Sequence, residues 1–329
     1  MPGFGKPKGF EYAIKVDRER DALRERKEMR GIPARDDDHL LLATWNIANL
    51  GAPDQVREPE CFELLAELVG WFDLVAIQEI RDNVKDGIRE VRARLPDSWR
   101  LLFSEDDGNH ERMGFLWDAD VVEPGELTGK AVVEPNRLRS AGGEGFRGFS
   151  RTPYIGSFHR GDLALLIVSV HSIFGAEKDP DDMKRRLAET KAIGWWCSEE
   201  SKSPHAYTPD ILAVGDFNTP SEDDLDFAEA MLAELRRHGL WTPRYTKEDG
   251  EETMLETQLG TAVRSENHYD QLLFFPEDTQ SDIVAKGVFD FDGAVFKDLW
   301  ADRGRKDFND FTIWALSDHR PLWAQLKLP

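Results

Sequence analysis

The chain has 329 residues, of which 40% are hydrophobic, so it can bury a substantial core in one domain or two. Its 63 acidic and 42 basic residues give a formal net charge of −21, which argues against a protein that coats nucleic acid. A nuclease remains compatible with this charge, because a bound metal ion neutralises phosphate locally. No apolar run reaches the roughly 20 residues of a membrane span. Cys61 and Cys197 form no metal-binding or disulfide pattern. We therefore expect a cytoplasmic protein with reduced thiols.

The first 38 residues form a charged N-terminal extension. Residues 11–30 are compatible with a helix, but they carry charges of both signs and few apolar anchors. This pattern predicts an exposed or loosely docked helix, which Gly31-Ile32-Pro33 ends. Residues 39–329 contain no linker and no repeat, so we interpret them as one domain.

From residue 39 onward, apolar runs of strand length alternate with amphipathic helices. Strands are predicted at 40–47, 74–77, 100–104, 113–117, 121–122, 163–170, 211–214, 271–275 and 322–328, and helices at 60–72, 86–95, 181–197 and 221–237. In the helix over 181–197, Lys184, Arg185 and Arg186 are predicted to lie mostly outward. The mixture of strand–helix units and consecutive strands predicts an α/β fold of two packed sheets covered by helices.

Six segments carry polar side chains next to an apolar run. Four of these groups follow a predicted strand, and two precede one. Those that follow are Asn46, Glu79, His171 and the pair Asp216 and Asn218, and those that precede are Asp270 and the pair Asp318 and His319. The carboxyl ends of parallel strands lie at one sheet edge, where antiparallel strands begin. The sequence therefore predicts that all six segments converge.

These residue types suit phosphate ester cleavage, which needs neutralised phosphate oxygens, an activated water and help for the leaving oxygen. Hard oxygen ligands favour Mg²⁺ or Mn²⁺. Glu79 is the first candidate ligand, and Asn46 and Asp318 are further candidates. Asp216 and Asn218 are two residues apart in extended chain, so they can point to the same side and hold the attacking water or the water shell of the ion.

The two histidines are candidate proton-transfer groups. His319 is predicted to act as the general base or to stabilise the charge that develops on the phosphorane, and Asp270 to orient its imidazole. His171 is predicted to bind a phosphate oxygen or to protonate the leaving group. Each residue alone also fits an ordinary turn or strand end. The six segments together favour a catalytic site.

Taken in order, the segments resemble the motifs of the endonuclease/exonuclease/phosphatase superfamily. The matching motifs are Trp45-Asn46, Ile77-Gln78-Glu79, Ser169-Val170-His171, Gly215-Asp216-Phe217-Asn218, Tyr269-Asp270 and Ser317-Asp318-His319-Arg320-Pro321. The resemblance covers residues 40–329. It implies a four-layer α/β/β/α sandwich, Mg²⁺-dependent phosphoester hydrolysis and the site roles given above.

The resemblance to particular branches is mixed. Arg151-Thr152-Pro153 resembles the Arg-x-Pro of deoxyribonuclease-I-like enzymes, so Arg151 is a candidate substrate-binding residue, with an ordinary loop cation as the alternative. Trp117-Asp118 replaces the Tyr-Arg of those enzymes. The active-site tyrosine of abasic-site endonucleases has no counterpart. His268-Tyr269-Asp270-Gln271 replaces the Trp-Cys-Asp-Arg of inositol polyphosphate 5-phosphatases.

Two further stretches are candidates for substrate contacts. Residues 137–154 are rich in glycine and arginine, which suits either a mobile flap or a flexible surface loop. Residues 291–314 interleave aromatic and cationic side chains, which suits either base stacking or packing onto the same domain. We favour packing for this second stretch.

The leading hypothesis is a cytoplasmic, Mg²⁺- or Mn²⁺-dependent phosphodiesterase, most simply a nuclease that binds nucleic acid locally at its site and hydrolyses DNA. The alternative is a phosphatase for a small phosphorylated metabolite or lipid headgroup, because a small substrate is less affected by the charge of −21. A binding module with a vestigial site is a third class. The sequence predicts no oligomeric state.

Overall fold

A computed structural model describes residues 5–81, 83, 85–140, 145–176, 179–219, 225–239, 260–265, 267–275 and 282–329. Its helices are α1 (Val16–Met29), α2 (Pro59–Val69), α3 (Ile88–Ala93), α4 (Pro135–Ser140), α5 (Pro180–Ser201), α6 (Leu225–Arg237) and α7 (Lys297–Ala315). Its strands are β1 (His39–Leu50), β2 (Leu74–Ile80), β3 (Trp99–Phe103), β4 (Arg112–Asp118), β5 (Glu123–Lys130), β6 (Tyr154–Arg160), β7 (Leu163–His171), β8 (Ile211–Asp216), β9 (Asp270–Phe275), β10 (Ile283–Val288) and β11 (Leu322–Lys327). In the described residues, no helix is long and apolar enough to cross a membrane.

The strands form two sheets that pack face to face. One has the order β10-β11-β1-β2-β4-β3 and the other β5-β6-β7-β8-β9. Alternate residues of each strand fill the space between the sheets, as Leu40 and Leu42 of β1 do. The sheets approach closely at Gly156, where an added Cβ would lie 2.8 Å from a ring carbon of Phe115. Glycine is therefore required at this contact.

Helices cover the outer face of each sheet. The opposite face of β1, which carries Leu41 and Trp45, packs with residues of α1, α2, α3 and α7 in one buried cluster. The outer face of β7 and β8 packs against α5 and α6 through residues such as Ile193 and Leu235. The fold is the four-layer α/β/β/α sandwich that the sequence motifs imply.

The strand directions bring the predicted polar groups to one edge. β1 is parallel to β2, and β7 is parallel to β8. β11 is antiparallel to β1, and β9 is antiparallel to β8. In the register of the second sheet, Asp216 lies opposite His171 on one side and opposite Asp270 on the other. Three of the predicted site residues are therefore fixed side by side by backbone pairing alone.

Three strands were not predicted from the sequence, and one predicted strand is wrong. β5 and β10 are the edge strands of their sheets, and β6 is interrupted by Gly156 and Ser157. Edge strands need no apolar pattern on both faces, so their sequences signal little. Residues 121–122 form the turn before β5 instead of a strand. The predicted helix start at 221–224 lies outside the described residues.

The N-terminal helix α1 is docked more closely than its charge pattern suggested. Leu23 is fully buried in the core cluster that contains α2 and α7 residues. The carboxylate of Glu19 is buried and accepts the backbone N–H of Phe296 at 2.8 Å. Arg26 and Arg30 both donate to the carboxylate of Asp290. The charges of this helix face therefore have protein partners, and the expectation of a loosely docked helix is wrong.

The aromatic residues of the 291–314 stretch pack onto their own domain, as we favoured. Phe296, Phe308, Phe311 and Trp314 are buried and belong to the outer core, whereas Trp300 is 48% exposed. Most of this stretch forms α7. These rings stabilise the helix layer behind the first sheet.

Candidate active site

The polar edge of the two sheets surrounds a cavity of about 530 Å³. The sequence-predicted residues that line it are Glu79, Arg151, His171, Asp216, Asn218, Asp318 and His319. Asn46 and Asp270, the other two predicted residues, are fully buried beneath the lining and hydrogen-bond to residues in it. All nine predicted residues therefore lie at one site.

Glu79, near the end of β2, forms the floor of the cavity, and Asn46 of β1 lies buried beneath it. The amide nitrogen of Asn46 donates to Asp216 Oδ2 at 3.0 Å and to Glu79 Oε1 at 3.2 Å. Glu79 has a φ of +61°, which non-glycine residues rarely adopt. The strand pairing is interrupted beside it by a register shift. A bulge of this kind turns a side chain out of the ladder, here into the cavity.

The donor set on this floor fits a hard divalent cation. The Oδ1 atom of Asn46 is buried and accepts no hydrogen bond from the described residues. Burial raises the pKa of Asp318; His319 opposes that shift, and the nearby Glu79 adds to it. In the described part of the chain, no three His, Cys, Asp or Glu side chains are arranged to hold a metal. Two carboxylates, one amide oxygen and water are, however, a set that suits Mg²⁺ or Mn²⁺.

His319 is held by a buried carboxylate. Its Nδ1 lies 2.7 Å from Asp270 Oδ2. Its backbone N–H donates to Ser317 Oγ, and its carbonyl accepts from the indole N–H of Trp45 at 2.7 Å. Burial by itself would lower the pKa of His319, but the charges of Asp270 and Asp216 raise it well above the ordinary value. The imidazole is therefore fixed in orientation and favours the protonated form.

His171 also lies against a buried carboxylate, one that the sequence analysis missed. Its Nδ1 lies 2.9 Å from Glu111 Oε2. Its Nε2 lies 3.6 Å from Asp216 Oδ2 and 3.8 Å from Glu79 Oε1. The Nε2 of His319 lies 3.8 Å from the same Asp216 oxygen. Two histidine–carboxylate pairs thus converge on one oxygen atom of Asp216.

Glu111 also forms ion pairs with two arginines that line the cavity. Its carboxylate lies 3.0 Å from Arg81 and 2.5 Å from Arg151, and it accepts the amide of Asn109 at 2.7 Å. Burial would raise the pKa of Glu111, but the charges of His171, Arg151 and Arg81 lower it. Glu111 precedes β4, which is antiparallel to β2. It therefore lies at the site for the same reason as Asp270, because both precede or begin an antiparallel strand at this edge. A polar residue before a predicted strand was the sequence signal that could have identified it.

Arg151 lines the cavity, whereas the Trp117-Asp118 pair does not. Arg151 donates to the carbonyl of Ser172 at 3.3 Å in addition to its ion pair with Glu111. Asp118 lies at the other end of β4 and pairs with Arg35. The replacement of the Tyr-Arg pair therefore changes a position outside this cavity.

Helix α5 supports the loop that carries Asn218, through an arginine that we expected to face outward. Arg186 is fully buried, so that expectation is wrong. Its guanidinium donates to the carbonyl of Asn218 at 3.0 Å and to that of Phe174 at 2.9 Å. Asn218 in turn donates its own N–H to Asp216 Oδ1 at 2.8 Å and its amide to the carbonyl of Ser172 at 2.8 Å. The inner face of α5 is polar at this end.

The buried Glu189 of α5 joins two further site loops. Its carboxylate accepts from the backbone N–H of Ser150 at 2.9 Å and from that of Ile173 at 3.2 Å. These residues adjoin Arg151 and the loop that follows His171. The helix thus fixes the spacing between the Arg151 loop and the histidine strand.

No family model matches the chain, and no curated protein matches it. Solved structures do match. ANGEL2, a 2′,3′-cyclic phosphatase solved with adenosine-2′,3′-vanadate, is 12% identical with a TM-score of 0.55, over 90% of this chain and 97% of that one. D. rerio TDP2 with a single-strand DNA product is 14% identical with a TM-score of 0.52, over 89% and 100%.

An endonuclease/exonuclease/phosphatase family protein from Bacteroides thetaiotaomicron is 14% identical with a TM-score of 0.54, over 88% of this chain and 95% of that one. The matches extend over nearly the whole of both chains in each case. Their identities are too low to transfer an activity, but the common architecture is clear. The chain therefore has the fold of the endonuclease/exonuclease/phosphatase superfamily.

Proposed function

We propose that this chain is a Mg²⁺- or Mn²⁺-dependent phosphodiesterase that hydrolyses nucleic acid, with DNA as the first candidate substrate. The observation that carries the proposal is the convergence of two histidine–carboxylate pairs on Asp216 Oδ2. Two imidazoles beside one carboxylate suit a displacement in which one group assists the entering oxygen and another the leaving oxygen.

The proposed ion site consists of Asn46 Oδ1, Glu79 and Asp318. A bound ion there would neutralise charge on the phosphate oxygens. The orphaned Asn46 oxygen and the clustered carboxylates support this assignment. The amide nitrogen of Asn46 donates to Asp216 and Glu79, which leaves Oδ1 as the atom of this side chain that can bind an ion.

The chain's own side chains have the following roles in the proposal. Asp216, oriented by the N–H of Asn218, holds the attacking water. His319 donates a hydrogen bond to the phosphorane oxygen, the role that its raised pKa favours over that of general base. His171 protonates the leaving oxygen or binds a phosphate oxygen, and Arg151 binds substrate phosphate.

A nucleotide substrate is supported by the ligands of two structures with this fold. ANGEL2 was solved with an adenosine vanadate, and D. rerio TDP2 with a single-strand DNA product. The free, buried thiols of Cys61 and Cys197 are compatible with the cytoplasmic location that belongs to the same proposal.

The second candidate function is hydrolysis of a small phosphorylated metabolite or lipid headgroup. Two observations favour it. Glu111 pairs with both Arg81 and Arg151, which reduces their attraction for a polyanion. The whole chain also carries a charge of −21.

A substrate panel separates the two functions. The purified full chain is tested with Mg²⁺ or Mn²⁺ against DNA, a small aromatic phosphodiester and the matching phosphomonoester. We expect hydrolysis of DNA and the diester, and loss of at least about 100-fold of this activity in His319→Ala. His205→Ala, which changes an exposed histidine, is the control. Turnover of the monoester alone would favour the second function, and undiminished turnover by His319→Ala would contradict the assigned site.

A further inference from the structure

A second cavity, of about 700 Å³, lies beside the candidate active site along α5. We call it the basic cavity. The charged side chains that line it are Arg147, Asp181, Asp182, Lys184, Arg185 and Lys191. Arg185 also lines the active-site cavity. The two cavities therefore adjoin at Arg185.

The charge of this cavity is opposite to that of the chain as a whole. Four cations and two carboxylates line it, in a chain with 63 acidic and 42 basic residues. One of the two carboxylates is turned toward its own loop, because Asp182 accepts the backbone N–H of Ala176 at 2.7 Å. The cavity therefore presents net positive charge.

Three cations of the basic cavity lie at long distances from their acidic partners. Lys184 lies 3.6 Å from Asp181, Arg185 lies 3.7 Å from Glu189, and Lys191 lies 3.7 Å from Glu234. The Lys184 and Arg185 side chains are 78% and 50% exposed. The Lys184–Asp181 pair is exposed on both sides, so it contributes little stability, and a phosphate group can replace it at small cost. Arg185 and Lys191 lie farther than a hydrogen bond from carboxylates that are largely buried, so both cations can still reach a phosphate oxygen.

We propose that the basic cavity binds the phosphodiester backbone of a single-stranded nucleic acid whose scissile phosphate lies in the active site. The inference rests on the proposed phosphodiesterase function and specifies its substrate. A flexible single strand can pass from the first cavity into the second, following a cationic path. Arg185, common to both cavities, contacts the phosphate nearest the scissile bond, and Lys184 and Arg147 contact phosphates farther along the strand.

The test measures strand binding in the Glu79→Gln background, which keeps the strand intact. Arg147→Glu/Lys184→Glu is compared with Arg303→Glu/Lys306→Glu, which makes the same charge change on α7. The control is matched in the charge change and in exposure, since Arg303 and Lys306 are exposed and lie on α7. Fluorescence anisotropy gives Kd for a dinucleotide and for a single strand of about eight nucleotides, a common site size, at several salt concentrations.

We expect affinity to increase with strand length in the Glu79→Gln background and in the α7 control. The basic-cavity variant should bind the longer strand at least about tenfold more weakly. The slope of log affinity against log salt concentration should become shallower by roughly 0.7 for each lost phosphate contact. Melting curves identify misfolding. If the variant misfolds, Arg147→Gln/Lys184→Gln should show the same length-dependent loss at about half the size.

Equal affinity and equal salt slope in the variant and the α7 control would overturn the proposal. The proposal would also be overturned if Glu79→Gln bound no strand while the unmodified chain hydrolysed a small phosphodiester. That result would leave the phosphodiesterase function intact. If no phosphodiester is hydrolysed, the proposed function fails. Length-dependent binding that the variant loses would then still support the basic cavity.

Discussion

The oxygen atom Asp216 Oδ2 is the centre of the candidate site. It accepts a hydrogen bond from Asn46 and lies within 4 Å of both imidazoles. Each imidazole has its other nitrogen against a buried carboxylate, Asp270 for His319 and Glu111 for His171. These two outer carboxylates fix which nitrogen of each ring faces the centre.

Removal of the charge of Glu111 should impair the site. Glu111→Gln would loosen His171, Arg81 and Arg151 together, because all three pair with this carboxylate. We expect kcat/KM for a phosphodiester to fall by about 100-fold. Steady-state kinetics measure this, with the exposed Glu105→Gln as control. An unchanged kcat/KM would show that Glu111 has no part in the reaction.

Asp270→Asn tests the pair of His319 and Asp270. The amide keeps the shape of the side chain but loses the charge that raises the pKa of His319. We expect kcat to fall by about 100-fold with a small change in KM, because the lost interaction is one made in the transition state. A rise in KM at constant kcat would instead assign Asp270 to ground-state binding.

The nine residues predicted from the sequence lie together in the structure, while Glu111 and Arg81 were missed. Eight of the nine lie beside strong apolar runs, so the strand pattern identifies them, whereas Arg151 was identified by its resemblance to an Arg-x-Pro motif. Glu111 precedes a predicted strand too, but it follows a polar turn and carries no recognisable motif. Its position depends on the pairing of β4 with β2, which local sequence does not determine.

Helix α5 connects the fold to the site through buried polar residues. Arg186 and Glu189 bond to the loops around Asn218, Ser150 and Ile173. Charged residues on a helix are usually solvated, so the sequence predicts an outward Arg186. Its burial depends on carbonyl groups of distant loops, which only the tertiary structure supplies.

Arg186→Met should destabilise the chain. The buried carbonyl of Asn218 and the part-buried carbonyl of Phe174 would both lose this donor. We expect the free energy of unfolding to fall by about 2 to 4 kcal/mol, measured by urea denaturation. Lys184→Met, on the exposed face of the same helix, should change it by less than about 0.5 kcal/mol. Equal effects of both substitutions would contradict the role given to Arg186.

The docking of α1 should depend on pH through Asp290. Burial alone would raise the pKa of Asp290, but hydrogen bonds from Arg30 and Arg26 lower it below 3.8. A carboxyl group whose pKa is lowered on folding stabilises the folded state at pH values above its ordinary pKa. This contribution disappears as the pH falls through the pKa that the group has in the folded state. We expect Asp290→Asn to cost about 2 kcal/mol at pH 7 and much less near pH 3.

Denaturation at the two pH values measures this difference. Asp298→Asn, which breaks the exposed pair with Arg18, is the control and should have little effect at either pH. A cost of Asp290→Asn that is the same at both pH values would contradict the charge-based account of α1 docking.

At the scale of the whole molecule, the sandwich was predictable because its central strands are apolar runs with clear ends. β1, β2, β7 and β8 are buried on both faces and carry Asn46, Glu79, His171 and Asp216 of the site. The edge strands β5 and β10 and the docking of α1 were not predictable, since they depend on pairing with distant segments. The sequence therefore predicts best those site residues that lie beside its most apolar runs.

The central claim is that this edge of the sandwich is a divalent-metal phosphodiesterase site. The most direct measurement is phosphodiester hydrolysis by the metal-stripped full chain with and without added Mg²⁺ or Mn²⁺, beside Glu79→Gln. The account predicts that activity is lost on stripping, returns with the ion, and is reduced at least about 1,000-fold in Glu79→Gln. Hydrolysis that persists without metal, or that survives Glu79→Gln, would contradict it.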